Sequence, residues 1–433
     1  MKFRSILGQC PTVSFREALL QGMAPDGSLY VPEAIPQLPP EFFDHSDQRS
    51  LHDIGKFLLS LFIDELPVPV LHEIVERAWN FPVPLVQLDK NLYLLELFHG
   101  PTLAFKDIGA RFMALALSAF LKDSQQTLSI AVATSGDTGS AVAQGFFRAP
   151  NIRVTVLYPS GKISRLQEQQ MTTLGENIMA IEVSGTFDDC QRLVKQLLAD
   201  SSMVERYHFT TANSINIGRL VPQIVYYLWA IAQLRSRWNN TDTPTIVVPS
   251  GNFGNLTAAV YAQQMGAPIG GLLAATNSND VVPRYFATGL YEPCPTRQTY
   301  SNAMDVGNPN NLARIQFLFG NEVKAIRKAI TATSVSDGET LEEIRTTYRS
   351  TGRILDPHTA VGVNAARTAS LHNQKPFIVA ATAHPGKFPE VIERALHITI
   401  PTPPALAEAL SRPKHSVRIA PNYDSLKAAI AAW

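Results

Sequence analysis

Three loops of this sequence carry residue types that could act together on one small ligand. The first is residues 249–255 (PSGNFGN), a stretch rich in Gly and Asn that follows a predicted strand and opens a predicted helix. Several backbone N–H groups of such a loop can point at one anion. The loop does not end in the Lys-Ser/Thr pair of a nucleotide-triphosphate site, so it favours a single phosphate monoester. On its pattern alone it could equally be an ordinary Gly/Asn turn.

The second loop, residues 133–140 (ATSGDTGS), also lies between a predicted strand and a predicted helix. It places four hydroxyls and one carboxylate in a turn whose N–H groups face the carboxyl end of the strand. Such a loop can bind a carboxylate or a phosphate. A plain helix cap made by Asp or Thr is the alternative interpretation.

The third loop, residues 99–107 (HGPTLAFKD), contains Lys106, which is preceded by Leu, Ala and Phe and closely followed by Ile108. Burial disfavours an ammonium group and lowers the pKa of a lysine, which frees the amine to attack an aldehyde. The ordinary alternative is a surface lysine whose aliphatic stem lies along apolar neighbours.

Considered together, the three loops indicate one kind of ligand. An aldehyde cofactor that carries a phosphate group and acts on an amino acid requires a phosphate-binding loop, a carboxylate-binding loop and a reactive amine. Pyridoxal 5'-phosphate is such a cofactor. The sequence therefore predicts a pyridoxal-phosphate site in which Lys106 binds the aldehyde as a Schiff base.

The elements that must position these loops follow an alternating pattern of short apolar runs and helical segments. The predicted strands are residues 128–133, 152–158, 178–183, 245–248, 272–275 and 377–381. The predicted helices are residues 140–148, 164–174, 187–199 and 256–265. Alternation of this kind forms parallel sheets covered on both faces, with ligands at the carboxyl ends of the strands. We therefore expect the site in the loops that follow these strands.

Composition limits the possible partners. The 433 residues contain 37 Lys plus Arg and 37 Asp plus Glu, so a net charge of zero gives no electrostatic reason to expect nucleic acid or a membrane surface. Three cysteines far apart in sequence predict no disulfide framework, and the first residues lack the apolar stretch of a signal peptide, so we expect a cytoplasmic protein. Polar residues interrupt the apolar tract at residues 217–234, which favours a buried helix over a membrane span. The histidines show no metal-ligand spacing, so we expect no metal.

Several stretches resemble motifs of the threonine synthases. Residues 96–107 (ELFHGPTLAFKD) are similar to the cofactor-lysine motif of that family, residues 133–139 to its substrate-carboxylate loop and residues 249–254 to its cofactor-phosphate loop. Residues 212–216 (ANSIN), 301–305 (SNAMD) and 382–385 (TAHP) match further motifs, and residues 14–32 also fit. The resemblance covers most of the chain, although Asn255 stands where many relatives have Asp.

The resemblance implies an α/β enzyme of pyridoxal-phosphate fold type II, with the cofactor between two parallel-sheet domains and an N-terminal covering segment. We expect the N-terminal segment at residues 1–90, the smaller domain with the lysine at 91–220 and the larger domain with the phosphate loop at 221–433. The implied reaction converts O-phospho-L-homoserine and water to L-threonine and phosphate by γ-elimination and β-addition of water, the last step of threonine biosynthesis. We expect a monomer or a homodimer that binds neither nucleic acid nor a membrane.

The resemblance also assigns roles to residues. Lys106 is the catalytic residue, both as the cofactor anchor and as the base that moves protons. The other cofactor contacts it implies are Asp137, Gly251, Asn252, Phe253, Gly254, Asn255 and, facing the pyridine nitrogen, Thr382. The substrate contacts it implies are Thr102, Ser135, Thr138, Asn213, Ser214, Asn216 and Arg219. Among these, the planar guanidinium of Arg219 suits a phosphate group.

Two alternatives stay open at this point. Another pyridoxal enzyme of the same fold, such as a serine/threonine dehydratase or a phosphohomoserine-like lyase, would share Lys106 and the phosphate loop, because one fold and one cofactor serve several reactions. A dehydratase would not need a second phosphate site at Arg219. A non-catalytic member that only binds the cofactor or small anions is the other alternative.

Overall fold

Two parallel sheets and one small antiparallel sheet form the framework of the protein. The computed structural model describes residues 1–371 and 375–433. The strands are β1 Lys2–Ser5, β2 Val13–Ser14, β3 Tyr30–Pro32, β4 Leu85–Asp89, β5 Leu92–Glu96, β6 Leu128–Ala133, β7 Ile152–Pro159, β8 Ile178–Val183, β9 Phe209–Thr211, β10 Thr245–Pro249, β11 Gly271–Thr276, β12 Ile330–Ser334, β13 Phe377–Ala381 and β14 Val417–Ile419.

Helices connect and cover these strands. The α-helices are α1 Phe15–Gln21, α2 Leu51–Phe62, α3 Val68–Ala78, α4 Lys106–Phe120, α5 Asp137–Phe146, α6 Arg165–Thr172, α7 Phe187–Ala199, α8 Ser201–Tyr207, α9 Ile217–Leu220, α10 Ile224–Trp238, α11 Gly254–Gln264, α12 Val281–Thr288, α13 Leu312–Leu318, α14 Val323–Ala329, α15 Asp337–Thr351, α16 Pro357–Ser370, α17 Pro389–Leu396, α18 Pro404–Ser411 and α19 Tyr423–Ala431. Single turns of 3₁₀-helix lie at Ser46–Gln48, Val221–Gln223, Asn302–Met304 and Pro385–Lys387.

The first parallel sheet has the strand order β14-β8-β7-β6-β9. Its inner strands β6, β7 and β8 are buried on both faces, which explains why they are near-continuous apolar runs. In β6, for example, Ile130 and Val132 pack into the main core of the protein, while Ala131 and Ala133 pack into a second core with α7. The carboxyl end of β6 lies beside the carboxyl end of β7, because Ala133, the last residue of β6, pairs with Leu157.

The second sheet has the strand order β12-β11-β10-β13-β5-β4 and is parallel except for β4, which runs antiparallel to β5. Ile246 and Val248 of β10 pack into the same main core as β6, and Val247 packs into a third core with α16. One face of each parallel sheet therefore contributes to a common core, which also contains the buried residues of α4 and α10.

The N-terminal part contains a small antiparallel sheet with the order β2-β1-β3 and the helices α1 to α3. The sequence predicts a covering segment here but not this sheet, because its strands are only two to four residues long. Trp79, at the end of α3, is buried and donates its indole N–H to Ile108 O in α4 at 3.2 Å. The segment thus packs directly against the helix that begins at Lys106.

Most of the predicted elements are confirmed. Residues 128–133, 178–183 and 377–381 are strands and residues 187–199 are a helix with the predicted bounds. The helix predicted at 140–148 begins earlier, at Asp137, because the turn at Gly136 with φ of 131° starts the helix directly. The apolar tract at 217–234 is buried helix, divided by the 3₁₀ turn that contains Pro222.

The division into segments at residues 90 and 220 stays a prediction, and strand pairing crosses both limits. Strand β4 lies before residue 90 and pairs with β5 after it, and β5 pairs with β13, which lies after residue 220. Strand β14, near the C-terminus, pairs with β8 of the first sheet. No helix in the described part of the chain has both the length and the apolar character needed to cross a membrane.

Candidate active site

A pocket lies where the carboxyl ends of strands from both parallel sheets meet. Its walls come from the loops after β6, β9, β10 and β13 and from the start of α4. The residues predicted from the sequence that line it are Lys106, Ser135, Asp137, Thr138, Asn213, Ser214, Arg219, Gly251, Asn252, Phe253, Gly254, Asn255 and Thr382. A cleft at the carboxyl ends of parallel strands is the usual ligand site of such folds.

Lys106 is the first residue of α4, and the loop before it is fixed against the end of β13. Phe105 donates its backbone N–H to Thr382 O at 2.9 Å, and His384 donates its backbone N–H to Leu103 O at 3.1 Å. A left-handed backbone at Leu103, with φ of 57°, turns the chain into α4. The position of Lys106 relative to Thr382 is therefore set by backbone hydrogen bonds.

The Lys106 amine has no hydrogen bond or ion pair with any residue that the structure describes, and it lies 5.5 Å from the centre of the Phe105 ring. Burial lowers the pKa of Lys106 to about 8. The Asp137 carboxylate opposes this shift, while the charges of Arg219 and Lys387 add to it. An amine with this pKa is partly neutral near physiological pH, and the neutral form is the one that attacks an aldehyde. The setting supports the role predicted for Lys106.

Asp137, the first residue of α5, belongs to a buried ion pair that the sequence does not predict. Lys387 Nζ lies 2.6 Å from Asp137 Oδ1, with side chains 0% and 3% exposed. Gln167 also donates its side-chain N–H to Asp137 Oδ1 at 2.9 Å. Burial alone would raise the pKa of Asp137, but the Lys387 and Lys106 charges outweigh burial and hold this pKa well below its usual range. Asp137 is therefore a fixed anion beside the Lys106 amine.

The turn between β6 and α5 presents hydroxyls to the pocket. The Thr134 hydroxyl is used inside the turn, where it accepts the backbone N–H groups of Gly136 at 2.9 Å and Gly139 at 2.8 Å. Ser135 and Thr138 stay partly exposed and line the pocket. Their hydroxyls, at the start of α5, suit a carboxylate or another small anion.

The turn between β10 and α11 has the close packing expected of an anion cradle. A Cβ atom on Gly251 would lie 2.8 Å from Met304 Cα and 3.0 Å from Ala303 O, so only glycine fits there. Phe253 has a left-handed backbone, with φ of 61°, and α11 begins at the next residue. The first N–H groups of this eleven-residue helix have no carbonyl partner within the helix, and they lie at the pocket wall.

Asn255 supplies a buried donor that fits a phosphate. Its side-chain Oδ1 accepts the hydroxyl of Tyr227, whereas its Nδ2 is buried and has no partner among the described residues. An unpaired buried donor is unfavourable unless a ligand satisfies it. Together with the N–H groups at the start of α11, this amide fits the phosphate group of pyridoxal phosphate.

Arg219 is a buried cation in the same pocket. Its side chain is 3% exposed, its Nη1 donates to Ala212 O at 2.6 Å, and it forms no ion pair with a carboxylate of the described residues. Burial lowers the pKa of Arg219 to about 10, and the Tyr226 and Asp107 groups oppose this. A buried guanidinium without an anion partner is the environment expected for binding a second phosphate.

Asn213 follows Ala212, whose carbonyl accepts the Arg219 hydrogen bond, and it connects the ends of β6 and β9. It accepts the N–H of Ala133 at 3.2 Å and donates to Ala133 O at 2.8 Å through the two ends of its amide. Ser214 accepts a hydrogen bond from Asn311 Nδ2 at 3.3 Å. Asn213 and Ser214 therefore shape the pocket wall between the sheets.

Two of the predicted substrate contacts, Thr102 and Asn216, do not line the pocket. Thr102 is 1% exposed, and both its N–H and its hydroxyl bond to Asp107, at 2.9 and 2.6 Å, so its side chain is turned away from the pocket. Asn216 is fully buried. Its Nδ2 donates to Leu19 O and Thr211 O at 2.9 Å, and its Oδ1 caps α9. Both polar side chains serve the local fold, and we do not propose them as substrate ligands.

Thr382 reaches the pocket from the end of β13. Its backbone N–H donates to Thr359 Oγ1 at 3.3 Å, while its hydroxyl has no partner among the described residues. A neutral hydroxyl at this wall fits the predicted contact with a pyridine nitrogen.

Sequence reasoning missed three polar residues at the site. Gln223 and His358 line the pocket, and Lys387 forms an ion pair with Asp137, which also lines it. The Oε1 atom of Gln223 is buried without a partner among the described residues, so it can accept a hydrogen bond from a ligand. None of the three belongs to the contiguous loops that carried the prediction, and only the nearness of Lys387 to the TAHP stretch gave a signal.

Comparison with known proteins identifies the family of the chain. The model of the family described as pyridoxal-phosphate dependent enzyme matches residues 79–382, the threonine synthase N-terminal model matches residues 2–79, and the threonine synthase C-terminal model matches residues 359–430. The chain is 42% identical over 420 residues to threonine synthase of Haemophilus influenzae, with 96% of each chain covered.

Solved structures give the same result. The crystal structure of threonine synthase from Escherichia coli is similar to the whole chain, with a TM-score of 0.93, 39% identity and 100% of each chain covered. The structure of threonine synthase from Brucella melitensis with pyridoxal phosphate bound has a TM-score of 0.92 and 33% identity, covering 100% of this chain and 99% of that one. The fold predicted from the resemblance is confirmed. From end to end, this chain belongs to the threonine synthases, a family of pyridoxal-phosphate-dependent enzymes with fold type II.

Proposed function

We propose that the protein converts O-phospho-L-homoserine and water to L-threonine and phosphate. It would thereby act as a carbon–oxygen lyase at the last step of threonine biosynthesis. The observation that supports this most is the presence of two separate anion sites in one pocket, the start of α11 with Asn255 and the unpaired cation Arg219. The first suits the phosphate of the cofactor and the second suits the phosphate of the substrate.

Different residues of the pocket have different roles in such a reaction. Pyridoxal phosphate, when bound, supplies a conjugated ring that withdraws electrons from the amino-acid carbon atoms. The N–H groups that start α11 would hold its phosphate together with Gly251 and Asn255, Thr382 would face its ring nitrogen, and Lys106 would bind its aldehyde.

Lys106 is also the group that moves protons. Its amine has a pKa of about 8, so it can both accept and return a proton near neutral pH. Asp137 stays ionised next to it and stabilises the protonated form of the amine. Ser135 and Thr138 bind the substrate carboxylate, which orients the substrate, while Arg219 binds the phosphate that leaves.

The reaction is tested with the purified protein. It is incubated with O-phospho-L-homoserine, and L-threonine and inorganic phosphate are measured together. We expect the two products in equal amounts. A protein that instead releases ammonia and a 2-oxo acid from L-threonine would be a dehydratase, and this proposal would be wrong.

The role of Lys106 is tested with the variant Lys106→Ala. We expect it to lose both turnover and the covalent link to pyridoxal phosphate that borohydride reduction makes permanent. Lys122→Ala is the matched control, since Lys122 is exposed just beyond the end of the same helix. A borohydride-stable link that persists in Lys106→Ala would show that another lysine anchors the cofactor.

A further inference from the structure

Asp356 is a fully buried carboxylate from which hydrogen bonds run in two directions towards the pocket. As the N-cap of α16 it accepts the backbone N–H groups of His358 at 2.9 Å and Thr359 at 3.4 Å. Capping does not account for its two remaining bonds. Its Oδ1 lies 2.9 Å from His358 Nδ1, and its Oδ2 accepts the hydroxyl of Thr359.

The first direction runs through His358, which is 2% exposed and packs against the Phe388 ring with 5.0 Å between ring centres. A carboxylate only accepts hydrogen bonds, so the ring proton must be on Nδ1. Nε2 is then an acceptor, and it receives the backbone N–H of Ala303 at 3.1 Å. The imidazole thus links Asp356 to the backbone at Ala303.

Ala303 and the next residue, Met304, form the surface against which the phosphate loop packs. Gly251 of that loop has no room for a Cβ atom, because Met304 Cα and Ala303 O lie 2.8 and 3.0 Å from its ideal position. A shift of the backbone at Ala303 would therefore move Gly251. In this way His358 fixes the phosphate loop without being part of it.

The second direction runs through Thr359. Its hydroxyl donates to Asp356 and accepts the backbone N–H of Thr382 at 3.3 Å. Thr382 O in turn accepts the N–H of Phe105, the residue before Lys106. These hydrogen bonds fix Thr382, which is assigned to the ring nitrogen, and the loop that carries Lys106.

We propose that Asp356 is a positioning residue that holds the two ends of the cofactor site in one frame, the phosphate end through His358 and the ring end through Thr359. The proposal rests on the proposed cofactor site. It assigns a role to three residues that do not need to touch the reacting atoms.

The two directions are tested separately by the binding of two ligands. Apoprotein of the full chain is titrated with pyridoxal phosphate and with pyridoxal, which lacks the phosphate, and each Kd is measured from absorbance. For His358→Leu we expect the Kd of pyridoxal phosphate to rise about tenfold and that of pyridoxal less than about twofold, as for the loss of one structural hydrogen bond at the phosphate end. For Thr359→Val we expect both Kd values to rise by the same factor.

His358→Gln separates the two side-chain hydrogen bonds of the imidazole. A glutamine carbonyl can reach the position of Nε2 and accept the Ala303 N–H, but the side chain has no donor at the position of Nδ1 for Asp356. We expect a partial rescue, with a ratio of the two Kd values between those of the wild type and His358→Leu. A fully restored ratio would show that the bond to Asp356 is not needed, and an equal rise of both Kd values in His358→Leu would show a general loss of packing. Either result, or an unchanged ratio in His358→Leu, would overturn the proposal. Wild-type apoprotein that takes up neither ligand would overturn the proposed function instead.

Discussion

The buried pair of Lys387 and Asp137 allows a quantitative prediction for Lys387→Met, which keeps a similar side-chain volume and removes the charge. The two charged atoms are 2.6 Å apart and both side chains are almost completely buried, so solvent screens them little. Removing the cation leaves Asp137 with the Gln167 amide and with the nearby Lys106 amine. We expect a loss of about 3–5 kcal/mol in the free energy of unfolding, the range for one uncompensated buried charge, with the lower end favoured because Lys106 partly replaces Lys387.

The double variant Lys387→Met/Asp137→Asn tests whether the uncompensated charge of Asp137 causes this loss of stability. It removes both charges, so most of the lost stability should return, leaving about 1 kcal/mol for the weakened hydrogen bonds. The surface pair of Arg148 and Glu176, also 2.6 Å apart but with side chains 69% and 50% exposed, is the matched control, and Arg148→Met should change stability little.

The assay is urea unfolding of apoprotein at neutral pH, with the free energy extrapolated to water. The pH matters because Asp137 has a folded-state pKa well below its usual range. Its contribution is complete above the unfolded pKa of about 3.9 and is lost only as the pH falls through the lower folded pKa. A loss below about 1 kcal/mol for Lys387→Met, or no recovery in the double variant, would refute the reasoning.

Three further predictions concern ligands. Arg219→Gln should lower kcat/KM for O-phospho-L-homoserine about 10- to 100-fold, since it removes a charged hydrogen-bond donor, and should leave the Kd of pyridoxal phosphate nearly unchanged; steady-state kinetics and titration check the two parts. Gly251→Ala should weaken pyridoxal-phosphate binding in a titration of apoprotein, because the new Cβ would lie 2.8 Å from Met304 Cα, and an unchanged Kd would contradict the cradle. The rate at which apoprotein forms the covalent link to pyridoxal should rise as the pH passes about 8, where Lys106 loses its proton, and should level off above that pH. In Asp137→Asn the midpoint of this rise should move to lower pH, because the carboxylate that raises the pKa of Lys106 is gone.

The loops of the site could be predicted because their chemistry is local in sequence. Residues 133–140 and 249–255 each contain a strand end, a Gly turn and a helix start within a few positions, and parallel sheets bring such loops together. The apolar strands were predictable for the same reason, since burial on both faces makes β6 and β8 near-continuous apolar runs. The short strands of the N-terminal sheet carry no such pattern.

Thr102 and Asn216 show the limit of a motif. Both lie within stretches that resemble the family, yet each turns its side chain to a backbone or carboxylate partner nearby. A motif fixes which residues are near a pocket, but side-chain direction depends on caps and turns that are completed only in the fold. Lys387 and His358 show the opposite case, since their partners Asp137 and Ala303 are distant in the chain and no local pattern indicates them.

The charges of the pocket explain why these distant residues matter. Lys387 forms the ion pair with Asp137, and neither Lys106 nor the buried Arg219 forms an ion pair with a carboxylate in the described part of the chain. A buried cation without an anion partner is unfavourable, and an anionic ligand can supply the missing charge. If Lys387 were absent, Asp137 would pair with the Lys106 amine instead and raise its pKa, which would reduce the neutral form needed for an aldehyde. Pairing Asp137 with Lys387 therefore favours the neutral Lys106 amine that the proposed link to the cofactor needs.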